Sequence, residues 1–101
     1  MLRQGDVLLV PVASMPAEAR PIQTGVARIV LAYGEVTGHA HAIADRGVEI
    51  LEHAGTRYIR VPMEGARLVH EEHAPIALPH GVYEVRLQWE YRPGEIRFVA
   101  D

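Results

Sequence analysis

The chain has 101 residues, a formal charge of −3, 49% hydrophobic and 23% charged residues, proportions of a globular domain rather than a disordered or fibrous chain. That length supplies one core and is too short to divide into two, so residues 1–101 are expected to form a single domain. All ten basic residues are arginines scattered singly, which leaves no basic stripe for nucleic acid, and no apolar run approaches membrane length.

Six histidines without a cysteine restrict any bound metal to nitrogen and oxygen ligands. The lack of cysteine, together with an opening at Arg3-Gln4-Gly5-Asp6 that has no basic and apolar leader pattern, makes the cytoplasm the expected location.

Along the chain, period-two alternation of apolar and polar residues is cut by Gly and Pro at short intervals, the pattern of many short strands. Strands are predicted at 6–12, 26–33, 37–44, 48–51, 57–61, 66–70, 76–78 and 82–91, with an edge strand at 95–99. Residues 14–21 carry Pro16 and Pro21 and read as a loop. Turn signals stand at Asp45-Arg46-Gly47, His53-Ala54-Gly55, Pro62-Met63-Glu64-Gly65 and Pro79-His80-Gly81, each with a glycine that relieves the backbone. The clearest strand is 82–91, where Tyr83, Val85, Leu87, Trp89 and Tyr91 share one face and are expected in the core. About nine short strands at this spacing imply an all-β fold, a small barrel or jelly-roll-like sandwich.

The chemistry lies in Thr37-Gly38-His39-Ala40-His41. Residues two apart on a strand stand on the same face, roughly 6.5–7 Å apart along the backbone, so both rings can lean onto one ion. The same parity adds Thr37 and Glu35, opposite the small residues Gly38, Ala40 and Ala42. A second pair, His70 and His73, brackets Glu71 and Glu72. His70 and Glu72 share parity and His73 does not, so a bulge or turn at Glu71-Glu72 is needed to aim them together, and Pro75 makes broken pairing natural there. His73 is the expected third ligand, with His70 close behind, and Glu35 or Glu72 is the expected catalytic carboxylate. The plainer alternative is a set of polar residues on an exposed strand face. His53 and His80 sit beside turn glycines and are expected to be solvated.

Other chemistries fail on inventory. Ser14 is the only serine, and there is neither cysteine nor lysine, so the usual nucleophiles and Schiff-base chemistry are missing. The residues therefore predict a small metalloenzyme whose divalent ion, zinc first, is held by three histidines and activates water for hydration or hydrolysis of a small-molecule electrophile, a lyase or hydrolase. A site that adds Glu35 or Glu72 as a ligand suits iron or manganese. A non-enzymatic metal- or ligand-binding barrel is the third reading, and the apolar strand faces are compatible with a homodimer.

Gly34, His39, His41, Glu49 and Gly55, taken in order, and the later Pro79-His80-Gly81 turn resemble the two motifs of the cupin superfamily. The glutamate comes several residues late, and no histidine follows the turn. The resemblance implies a small β-barrel with a metal in its mouth and, with iron or manganese, dioxygenase or isomerase chemistry. The wider pattern, which includes Arg3-Gln4-Gly5-Asp6-Val7 and His70-Glu71-Glu72-His73, is also similar to short bacterial proteins and implies no activity.

Overall fold

The computed structural model describes residues 1–22, 28–33, 39–87, 90–92 and 95–97; for residues 33, 90–92 and 95–97 only the strand itself is described. Two tight hairpins organise the larger sheet. Gly5-Asp6 joins β1 (Leu2–Gln4) to β2 (Val7–Val12), and Ala54-Gly55 joins β6 (Glu49–His53) to β7 (Thr56–Val61). With β3 (Arg20–Pro21) and β10 (Gly81–Leu87) they form a six-stranded antiparallel sheet in the order β1-β2-β10-β7-β6-β3. Pro21, which has no N–H to give a ladder, falls in an edge strand, where its loss costs no pairing.

The remaining strands pair in twos. These are β4 (Ile29–Tyr33) with β5 (Ala40–Ile43), β8 (Ala66–Leu68) with β9 (Ile76–Leu78), and β11 (Glu90–Arg92) with β12 (Glu95–Arg97). Val69 links two of these pairs: its N–H and C=O exchange 2.9 Å bonds with those of Ala42, so β5 lies between β4 and the end of β8.

Alternation in the large sheet points Val7, Leu9, Ile59, Val61, Tyr83 and Val85 inward, where they meet Leu31, Ile43, Leu68 and Leu78 of the smaller pairs in one core. Arg57 shares the inward face. It is half-buried, its Nη2 donates to Leu31 O at 2.6 Å, and loss of hydration lowers its pKa against the opposing pull of Glu52.

The fold is all-β, as expected, but it is not a closed barrel: the described ladders form separate sheets around one core. The antiparallel pairing of β5 with the 69–72 segment is a single bridge, because the Glu71 carboxylate takes the amides of Ala40 and of Glu71 itself that would make the next ladder bonds. Ala40 N–H donates to Glu71 Oε2 at 3.0 Å, and Glu72 N–H donates to His70 Nδ1 at 3.0 Å. The expected 66–70 strand ends at Leu68, the last residue that pairs with β9. Of the expected strand at 82–91, β10 covers the part up to Leu87 and β11 the part from Glu90, while Gln88 and Trp89 lie outside the described residues. The expected loop at 14–21 ends in β3, and β1 was not expected at all. Among the described residues, no helix is long and apolar enough to cross a membrane.

Candidate metal centre

Strand β5 carries the first histidine inward. His41 and Ile43 share a face by alternation, Ile43 belongs to the core, and His41 is itself fully buried. Extending the Ala42–Val69 pairing by one residue sets His41 opposite His70, in the kind of antiparallel pair whose side chains approach most closely. Their ring centroids are 4.3 Å apart. Beyond His70 the chain turns, and the turn brings His73 back over the same spot, 4.6 Å from the His70 ring and 5.7 Å from that of His41.

His41, His70 and His73 each offer a ring nitrogen, all within 4.8 Å of one another. Nitrogens of a tetrahedral zinc site stand about 3.3–3.5 Å apart, given Zn–N bonds near 2.0–2.1 Å. Local adjustment of the rings and of the turn that carries His70 and His73 closes that difference, so the donor set fits such an ion. His41 and His70 are buried and His73 is half-buried, which leaves His73 nearest to solvent.

His39 is adjacent but does not complete this trio. It groups instead with His70 and Glu71, its ring lies nearly perpendicular to that of His70 at 5.7 Å, and its Nδ1 is 3.4 Å from Glu72 Oε1. Glu72 is 55% exposed, so this pair forms the outer rim. The Glu71 carboxyl is held below its usual pKa because its own N–H and that of Ala40 bond to it, against an opposing pull from desolvation and with smaller help from His39 and His70. Glu35 lies outside the described residues.

Of the other residues considered, Glu49 pairs with Arg60 at 2.8 Å on the large sheet. His80 is exposed, and its Nδ1–H donates to Val61 O at 2.9 Å. His53 ends β6 half-buried. None of the three joins a metal grouping among the described residues.

Two residues of the first hairpin enter the centre, and the sequence reading passed over both. Gln4 is buried, with 3% of its surface exposed. Its Nε2 donates to Leu68 O at 2.9 Å and to Ala74 O at 3.0 Å, and its Oε1 stands 2.9 Å from His41 Nδ1. Gly5 packs its backbone directly on the rings: a Cβ there would lie 2.9 Å from His73 Nε2 and 3.2 Å from His41 Cε1. The available signal was the parity of Leu2 and Gln4 across a tight Gly turn from Val7 and Leu9, which puts a glutamine among core residues.

The chain belongs to the family DUF8820, described as a domain of unknown function, whose model matches residues 3–88. No curated protein and no solved structure matches it significantly.

Proposed function

We propose that this member of the DUF8820 family binds one divalent metal ion, zinc first, through His41, His70 and His73, and that the ion serves hydration or hydrolysis of a small electrophile. The reading rests on one observation: three ring nitrogens from two distant segments lie within 4.8 Å of one another at the end of an apolar core. Gathering three imidazoles at such a place carries a desolvation cost, and a shared cation offsets it. When bound to zinc, water has its pKa lowered to about 7.

This chain supplies the rest. His73 opens the centre towards solvent, and the His39–Glu72 pair on the rim is placed to take up and release a proton. Glu71 is engaged by two backbone amides and has a structural part. The His39, His70 and Glu71 grouping favours a second reading, a mixed histidine and carboxylate site for iron or manganese with dioxygenase or isomerase chemistry. A cytoplasmic location and a homodimer accompany the proposal.

Elemental analysis of protein purified without a histidine tag tests it. One zinc per chain is expected, with stoichiometric binding lost in His41→Ala and His73→Ala. Free zinc at 100 times its dissociation constant is expected to add about 2.7 kcal/mol of stability, a rise in Tm of about 10 °C or more for a domain of this size. Zinc-dependent hydrolysis of a p-nitrophenyl ester would support catalysis. Iron with oxygen uptake would favour the second reading, and no metal at any loading would end both.

A further inference from the structure

Within that metal reading, we propose that Gln4 is the positioning residue of the centre: it presets His41 as a ligand through Nε2, whereas His70 is held in the opposite tautomer and must release a backbone amide as metal enters. Leu68 O and Ala74 O can only accept hydrogen bonds, so the Gln4 group that faces both must be its NH2. The amide oxygen is thereby directed at His41, 2.9 Å from Nδ1. Since that oxygen can only accept, Nδ1 carries the proton, and the lone pair of neutral His41 is at Nε2. Metal-bound histidines are commonly oriented in this way by an acceptor on the other ring nitrogen.

His70 has the reverse arrangement. Glu72 N–H donates to its Nδ1 at 3.0 Å, so neutral His70 carries its proton on Nε2. Either route to coordination breaks that bond. Binding through Nδ1 displaces the amide directly. Binding through Nε2 sends the Nε2 proton to solvent while Nδ1 takes one up, so no net proton is released and Nδ1 ceases to accept. The 70–73 turn therefore rearranges on loading, and Glu72 moves relative to His39 on the rim. The same Gln4 side chain anchors the far end of this turn through Ala74 O, so the rearrangement is confined to the residues between His70 and Ala74.

Long-range 1H–15N correlation spectra of the metal-free protein read both tautomers directly. His41 is expected as Nδ1–H and His70 as Nε2–H, and on zinc titration the Glu72 amide is expected to shift as its bond to the ring is lost. Gln4→Met keeps the side-chain length without the amide and is expected to free His41 from the Nδ1–H form and weaken zinc about 10- to 100-fold. Gln4→Glu keeps an acceptor and should retain the Nδ1–H form. A wild-type His41 carrying its proton on Nε2, a His70 carrying its proton on Nδ1, a Glu72 amide indifferent to bound zinc, or a folded Gln4→Met with unchanged tautomer and affinity would each overturn the proposal. Should Gln4→Met not fold, the wild-type spectra and Gln4→Glu decide. A wild-type protein that takes up no zinc ends the metal reading and the rearrangement on loading, while the metal-free spectrum separately upholds or refutes the tautomer pair.

Discussion

Two hairpins of the same sheet turn on two residues each, Gly5-Asp6 between β1 and β2 and Ala54-Gly55 between β6 and β7, for different physical reasons. At the first, only Gly5 has a positive φ, 57°, the pattern of a type II′ turn with glycine leading. At the second, Ala54 and Gly55 have φ of 50° and 81°, the two positive values of a type I′ turn. A Cβ at Gly55 would meet nothing within 4 Å, whereas one at Gly5 would press on His73 and His41. One glycine answers to backbone conformation alone; the other answers also to the histidine cluster. A glycine in a turn motif thus does not disclose by itself whether it serves the fold or the site.

The sharpest way to break this contrast is the same substitution in both turns. Gly5→Ala combines a left-handed backbone penalty of about 1–2 kcal/mol with an overpacking cost of about 1–3 kcal/mol. Urea titration should therefore show the largest loss of stability of the set, and calorimetry should show zinc affinity reduced at least about tenfold, in line with displaced ligand geometry. Gly55→Ala carries only the backbone penalty, about 1–2 kcal/mol, and should leave zinc affinity unchanged. Equal losses of affinity in the two variants would remove the distinction.

A smaller effect sharpens the second turn from its other position. Ala54 is the only non-glycine residue with positive φ among the described residues, and asparagine tolerates that region better. Ala54→Asn should stabilise the protein by about 0.5–1 kcal/mol and raise Tm by a few degrees on thermal melting, with zinc binding as before. The smallest expected change lies in a third turn, where Tyr83 OH donates to Pro79 O at 2.7 Å. Tyr83→Phe should cost about 1 kcal/mol by urea titration, again without effect on zinc.

Much of the fold was readable as alternation. β2, β7 and β10 follow the predicted strands closely because each has one face in the core, and burial of alternate residues is written into the local order of side chains. β1 and β3 were missed because strands of three and two residues are too short to display a period. The candidate site was readable in its donors and less so in its arrangement. His41, His70 and His73 were all singled out, while the preference for His39 beside His41 assumed that shared parity brings both rings to one point. Here the partner strand decides: the Ala42–Val69 register sets His70 against His41 and leaves His39 facing Glu72. Parity in the first hairpin could place Gln4 among core residues but could not give its role, since a glutamine becomes a keystone only when the backbone carbonyls of Leu68 and Ala74 close around it.

The order of residues alone determined an all-β chain and restricted any metal ligands to imidazole and carboxylate, because side-chain period and ligand inventory are local properties. Which imidazoles converge and which glycine must stay bare depended on the tertiary structure. Those outcomes are set by strand register and layer packing between segments more than sixty residues apart, such as Gln4 and Leu68, and no local pattern encodes such contacts.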